Sequence, residues 1–165
     1  MKALFIVLVL PVIVVLNSCA TPYQSSGATG GFRNQRISTN QFLVDFVGNG
    51  FTSKKKTNDF ALLRAAEITK EYQFNYFTIE GDRDLSRSER HYSGSTSRTT
   101  GYLNSYGSSA SYSGHTTTTP QVTNIYKPGS QLRIKCYVNK PTGHVGRIFT
   151  ADQVIVEMKS KHKIE

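Results

Sequence analysis

The stretch that decides the predicted fold is Gln41-Phe-Leu-Val-Asp-Phe-Val47. Phe42, Val44 and Phe46 occupy every second position, which is the spacing of side chains on one buried face of a β-strand. Gly48-Asn49-Gly50 follows at once and ends the strand with residues that favour a turn. We therefore expect the folded core to begin near residue 41.

The next segment changes from strand spacing to helical spacing. From about Lys54 to Tyr72, one stripe of a helix carries mainly small and apolar residues: Ala61, Leu62, Ala65, Ile68, Thr69 and Tyr72. Phe60 and Leu63 lie outside this stripe, so we expect the helix to pack on a second side as well. Phe74-Asn-Tyr-Phe-Thr-Ile79 then has the aromatic and β-branched content of a strand. Residues 41–84 therefore predict a β-α-β or split β-α-β unit.

Residues 85–120 contain very few side chains that could be buried. Ser and Thr make up half of the residues from Ser86 to Thr119, with Gly and Tyr between them. Such a composition is typical of a disordered insert. It also suits a long polar hairpin exposed on both faces. We expect a mobile insert with some extended structure at its ends, and we expect the core to survive deletion of residues 88–118.

Residues 121–165 predict a β-β-α half of the domain with a basic C-terminal end. The strands are expected at Val122–Tyr126 and Gln131–Asn139, and a helix at about 151–160. Thr150 and Gln153 have the spacing of a capping box. The predicted fold is thus one small α+β or α/β domain with a β-α-β unit, a Ser/Thr-rich insert and a β-β-α unit. The predicted core comprises Phe42, Val44, Phe46, Leu62, Ala65, Ile68, Phe77, Ile79, Leu132, Ile134 and Val138.

Residues 1–18 have the three-part order of a secretory signal. Lys2 gives a positive start, an apolar run follows, and Leu16-Asn-Ser-Cys19 closes the segment. This ending resembles the lipobox of bacterial lipoproteins, in which the cysteine receives a diacylglyceryl group after export and the signal is cleaved before it. The resemblance implies that Cys19 carries diacylglycerol and an N-acyl chain, with no other cofactor. The alternative is a transmembrane anchor, but the 14 positions from 3 to 16 fall short of the roughly 20 residues that span a bilayer.

The segment after the proposed cleavage site predicts a tether and a location. Residues 19–40 are small and polar, so we expect a flexible lipidated tether with a reach of about 25 Å. Ala20 follows the cysteine, whereas Asp at this position is the usual signal for retention in the inner membrane. The lipoprotein resemblance therefore implies the outer membrane, with the domain facing the periplasm rather than the cell surface.

The chain is basic, with a formal net charge of +9 that falls to +8 when Lys2 is removed with the signal. Export argues against nucleic acid as the partner. The charge favours anionic envelope surfaces instead: lipid headgroups, lipopolysaccharide or peptidoglycan. The basic residues that cluster are candidate surface or partner contacts, namely Lys54, Lys55, Lys56, Lys159, Lys161 and Lys163. A solvated helix end and a frayed terminus are the favoured explanation of the two clusters.

Catalytic and metal-binding motifs are absent from the sequence. Glu80, Asp82 and Asp84 could ligate a hard cation, but their spacing is not that of an EF-hand, and acidic loops are common. The histidines at positions 91, 115, 144 and 162 form no His-x-x-x-His pair for zinc. Cys136 lies on the apolar face of a predicted strand, which favours a buried structural thiol over a reactive one.

Several segments resemble a family of small proteobacterial lipoproteins that have no established activity. The matching segments are residues 42–53, 60–69, 74–79, 126–129, 132–134 and 149–154. The resemblance implies a small α/β domain on a lipid anchor, and it transfers Cys19 alone as a functional residue. We therefore expect a non-enzymatic interaction or structural module of the envelope. The alternative is an envelope enzyme that acts on glycan or lipid through the loop at Asp82 and Asp84 or through a histidine such as His144.

Overall fold

The computed structural model describes residues 19–143 and 145–164, so the predicted signal peptide and His144 lie outside the described residues. The described chain forms seven strands and two helices. In chain order they are β1 (Gly31–Arg36), β2 (Gln41–Val47), α1 (Lys54–Glu71), β3 (Tyr76–Asp84), β4 (Arg87–Tyr106), β5 (Ser109–Lys127), β6 (Gly129–Tyr137), β7 (Ile148–Thr150) and α2 (Ala151–His162).

Five of the strands form one sheet in the order β1-β2-β6-β3-β7, and every neighbouring pair is antiparallel. β2 and β3 both pair with β6, which lies between them. The predicted α+β class is therefore confirmed. The predicted order of elements is not confirmed. β1 precedes the expected first strand, β7 precedes the last helix, and the strand expected at Val122–Tyr126 is the last part of β5, which lies outside the five-stranded sheet.

The core lies between this sheet and the two helices, which pack against each other. Phe42, Val44 and Phe46 of β2 are fully buried, as their alternation predicts. α1 begins at an N-cap, where the Ser53 hydroxyl accepts a hydrogen bond from the Lys56 amide at 3.1 Å. Phe60 is also buried, because α2 covers this second side of α1 and brings His162 onto its ring at 4.9 Å.

Three predicted core residues are less buried than expected. Leu62 and Ile79 are partly buried, and Val138 is 54% exposed because β6 ends one residue before it. Cys136 is fully buried on the helix side of β6, so the predicted buried thiol is confirmed. Thr150 is the N-cap of α2 as predicted, but its side chain makes no capping hydrogen bond, so the capping box is not formed.

The prediction of a flexible tether over residues 19–40 is wrong. β1 lies within this segment and pairs with β2 along its whole length. The Tyr23 and Phe32 rings pack at 5.0 Å, and the Arg64 guanidinium of α1 lies 4.6 Å from the Phe32 ring. The two aromatic rings give this otherwise polar segment enough apolar contact to hold it on the domain.

The expectation of a mobile insert is also wrong. The alternative, a long polar hairpin exposed on both faces, is what the structure shows. β4 and β5 form one antiparallel hairpin from Arg87↔Lys127 to Tyr106↔Ser109. Gly107 and Ser108 make the turn, and Gly107 has the positive φ of 58° that a two-residue hairpin turn needs at its first position. Almost every side chain of the hairpin is exposed. At about 3.3 Å per residue, its 20-residue strand spans about 65 Å.

The hairpin is an extension of the central strands of the sheet. β3 and β6 pair as far as Asp84↔Ser130, and β4 and β5 resume pairing three residues later at Arg87↔Lys127. Between the two ladders, the Leu85 amide donates to the Gly129 carbonyl at 3.2 Å. The register of the core therefore determines where the hairpin starts.

We predict that the distal part of the hairpin contributes little to the stability of the domain. Residues 97–118 can be replaced by Asn-Gly, which connects Thr96 to Thr119, its direct partner across the hairpin. Because the removed residues are exposed and bury no core side chain, thermal unfolding followed by circular dichroism should keep its midpoint and its cooperativity. A broad or much lower transition would show that the hairpin belongs to the core.

Candidate functional site

The candidate site is an open cleft at the start of the described chain. Its walls include Cys19, Tyr23, Asn49, Lys56, Phe60 and Lys163, and its volume is about 650 Å³. We call it the anchor cleft. It combines the N-terminal segment, the first turn of α1 and the end of α2, which are far apart in sequence.

A network of hydrogen bonds around Thr21, which we call the knot, holds the chain next to Cys19. The buried Thr21 hydroxyl donates to the Thr29 carbonyl at 2.7 Å and accepts from the Asn49 amide at 2.8 Å. The Thr21 amide donates to the Thr52 hydroxyl at 2.9 Å. The Asn49 side chain then donates to the Cys19 carbonyl at 2.7 Å. The backbone of Cys19 is therefore attached to the domain, while its side chain stays exposed.

The floor of the anchor cleft is aromatic. Tyr23 and His162 meet the Phe60 ring edge-on at centroid distances of 5.3 and 4.9 Å. The Tyr23 hydroxyl donates to a Glu67 carboxylate oxygen, and burial together with this carboxylate raises the pKa of Tyr23 above its ordinary value. His162 Nε2 lies 2.9 Å from Asp59 Oδ2. The floor of the anchor cleft is therefore mainly apolar, and the Tyr23 hydroxyl and His162 Nε2 each have an acidic partner.

The structure brings one lysine from each predicted cluster to the anchor cleft. Lys56 and Lys163 both line it, and the Lys56 amine lies 5.3 Å from the centre of the Phe60 ring. Lys163 is the C-cap of α2, in the left-handed backbone region. The other predicted contacts are placed elsewhere or pair with acids: Lys55 is exposed on α1, Lys159 is partly buried on α2, and Lys161 pairs with Asp59 at 2.8 Å.

Lys54 is a structural residue at the base of the hairpin. Its amine donates to Asp84 Oδ1 at 2.6 Å, to the Ser86 hydroxyl at 3.1 Å and to the Gly129 carbonyl at 2.5 Å. The Lys54 and Ser86 hydrogen bonds hold the pKa of the Asp84 carboxyl well below its ordinary value. This contact therefore stabilises the fold above the ordinary pKa of aspartate and is lost only as the pH falls through the lowered one.

The predicted acidic loop does not converge with a histidine in the described chain. Asp84 is held by Lys54, whereas Glu80 accepts from Gln41 at 3.0 Å on the sheet face that the helices leave open. His91 and His115 lie on the exposed hairpin, and His162 lies in the anchor cleft. Within residues 19–143 and 145–164, no group of three acidic, histidine or cysteine side chains is arranged to hold a metal ion.

Cys136 has the surroundings of a structural thiol. Its sulfur lies 3.4 Å from the Thr69 hydroxyl, and the Thr69 hydroxyl also donates to the Ala65 carbonyl at 2.8 Å. Burial raises the pKa of the Cys136 thiol above its ordinary value, which lowers the thiolate fraction and its reactivity.

Comparison with protein-family models, with curated proteins and with solved structures found no match. A search of the described residues for a helix long and apolar enough to cross a membrane found none.

The residues of the knot were missed by sequence reasoning. Thr21 and Thr52 are short polar residues in a polar context, and nothing in their spacing signals burial. The sequence feature that could have indicated this loop as a packing site is Gly48-Asn49-Gly50. A Cβ atom at Gly50 would approach Ile125 of the hairpin to 2.5 Å, so the glycine allows the hairpin to pack against this loop while Asn49 reaches Cys19.

We predict that Thr21→Val lowers the free energy of unfolding by about 1–3 kcal/mol, because it leaves the Asn49 amide and the Thr29 carbonyl without a hydrogen-bond partner. Urea denaturation measures this loss. The control is Thr39→Val at an exposed turn, which should change stability by less than about 0.5 kcal/mol. Equal effects of the two substitutions would contradict the role of the knot.

A second prediction concerns the base of the hairpin. Lys54→Met removes the donor that joins Asp84, Ser86 and Gly129, so the backbone amides of residues 85–88 and of residues 127, 129 and 130 should exchange hydrogen faster. Lys55→Met is the matched control, since Lys55 is the next residue of α1 and is exposed. Hydrogen exchange read by mass spectrometry should separate the two variants. Unchanged exchange in Lys54→Met would show that the strands alone hold the base.

Proposed function

We propose that the chain is a lipid-anchored protein of the bacterial cell envelope whose domain is a non-enzymatic interaction module. The observation that carries the proposal is the geometry at Cys19: an exposed thiol whose backbone is attached to the folded domain by the knot at Thr21. A lipobox cysteine in this position would bring the anchor cleft directly against a membrane.

The charges around Cys19 support the same orientation. Lys56 and Lys163 are the cations of the anchor cleft, and both would face the anionic headgroups of the leaflet that receives the lipid. Ala20 in place of Asp favours the outer membrane and its periplasmic face.

The arrangement of polar side chains favours interaction over catalysis. The rival function, an envelope enzyme acting on glycan or lipid, would need the carboxylates at Glu80, Asp82 and Asp84 to converge with a histidine. Glu80 and Asp82 do line one shallow pocket with Arg83 and Arg133, but no described histidine lines it, and Asp84 is occupied by Lys54. The long hairpin instead offers backbone and side-chain groups over about 65 Å to a partner.

We predict that Cys19→Ser blocks lipid attachment, because the serine hydroxyl cannot replace the thiol in the thioether bond to diacylglycerol. Cells expressing the full chain are fed labelled palmitate, and the protein is captured and its mass measured. The original chain should incorporate label, and the variant should remain an unlabelled precursor of higher mass. The control is Cys136→Ser, which should retain the label. Equal labelling of the Cys19→Ser variant would contradict the anchor.

A further inference from the structure

The distal part of the hairpin has two open strand edges. We call residues 95–106 of β4 and residues 109–119 of β5 the distal arm. β4 and β5 pair only with each other, so each has an outer row of backbone groups without a strand partner in the described chain. A lone two-stranded sheet is marginally stable in water, and a third strand stabilises it.

The base of the hairpin carries the features by which proteins protect strand edges, and the distal arm lacks them. A β-bulge lies between Tyr92 and Gly94, and Pro120 stands opposite Ser95. Glu89 pairs with Arg87 and with Lys127. Beyond these residues the distal arm has no proline and no bulge, and Arg98 is its only formal charge. Exposed strands of this kind pair readily with another strand.

Internal contacts hold the two strands of the distal arm in register. The hydroxyls of Thr99 and Thr116 lie 2.8 Å apart, and those of Ser97 and Thr118 lie 3.0 Å apart. All four side chains lie on the same face of the hairpin, because directly opposed residues share a face. The backbone groups of each outer edge are therefore held in one fixed register.

The two edges differ in charge and in β-propensity. β4 carries Arg98. If two copies of β4 paired antiparallel near the middle of residues 95–106, the two Arg98 side chains would lie close together and repel each other. β5 has no Lys, Arg, Asp or Glu between residues 109 and 119, and it contains the run Thr116-Thr-Thr-Thr119 of β-branched residues. The edge of β5 is thus the better surface for pairing.

We propose that residues 109–119 pair antiparallel with the same residues of a second copy, so that two hairpins form one four-stranded sheet. An antiparallel pair of identical strands satisfies twofold symmetry, and every outward N–H then meets a carbonyl of an identical partner. Because the β5 edge has no charged side chain, it has no ion pair to offer to a charged strand of a different protein. The inference deepens the proposed interaction function by naming its partner, and it does not require the lipid.

The length of the arm removes the main electrostatic objection to pairing. The chain has a formal charge of +9, or +8 without Lys2, so two domains repel each other at short range. The distal arm begins eight residues beyond the start of β4, which is about 25 Å at 3.3 Å per residue. This distance exceeds the Debye length of about 8 Å at physiological salt, so the domains are screened from each other while the arms pair.

The test uses the full chain, extracted from bacterial cells in detergent, with its protein mass measured by light scattering during gel filtration. The variant is Thr116→Lys with Thr118→Lys, which places two cations on the β5 edge. The matched control is Ser97→Lys with Thr99→Lys, which breaks the same two hydroxyl pairs on the same face but charges β4. Circular dichroism checks that both variants keep the strand content of the original chain.

We expect twice the chain mass for the original protein and the control, and the single chain mass for the β5 variant. Dilution of the original protein to its single mass should also speed hydrogen exchange in residues 109–119. A monomeric original chain, a dimeric β5 variant, dissociation caused by the control alone, or a different protein bound in place of the second copy would each overturn the proposal. Labelled palmitate on the same samples reports the anchor separately, because a dimer without label would reject the anchor and retain the pairing.

Discussion

The rest of the structure depends on the pairing of β6 with two neighbours at once. β6 lies between β2 and β3, and Ile134 is paired on one side with Phe42 and on the other with Ile79. Its buried side chains, Ile134 and Cys136 among them, face the helices. Because β6 and β3 continue into β5 and β4, the hydrophobic core also sets the position and register of a hairpin that itself contains no core.

The knot at Thr21 changes what a lipid on Cys19 would do. A flexible tether would leave the domain free to rotate above a membrane. Lipidation would then determine only the membrane to which the domain is attached. Here the chain is fixed to the domain two residues after Cys19, so lipidation would also determine which face meets the bilayer. Lys56 and Lys163 matter because of this constraint: the half-buried Lys56 and the exposed Lys163 are far apart in sequence but lie on that one face.

Periodicity predicted the parts of the fold that are stabilised by apolar burial. The alternation of Phe42, Val44 and Phe46, the helical segment and the Cys136 strand all lie where the pattern indicated. The knot and β1 could not be found in this way, because Thr21 is buried through hydrogen bonds and β1 carries one aromatic contact at Phe32. The anchor cleft escaped prediction for a related reason: its residues come from three distant segments.

The hairpin shows why composition alone misled the interpretation of residues 85–120. Low hydrophobicity excludes a core, but a two-stranded ribbon needs only β-branched residues, a turn and a fixed starting register. Thr116 and Thr99 are among the β-branched residues, Gly107-Ser108 forms the turn, and the β3–β6 ladder fixes the starting register. The same loop that bonds Cys19 through Asn49 also packs at Gly50 against Ile125 of the hairpin. The base of the hairpin and Cys19 are therefore held by the same loop, so a lipid on Cys19 would also bias the direction of the arm relative to the membrane.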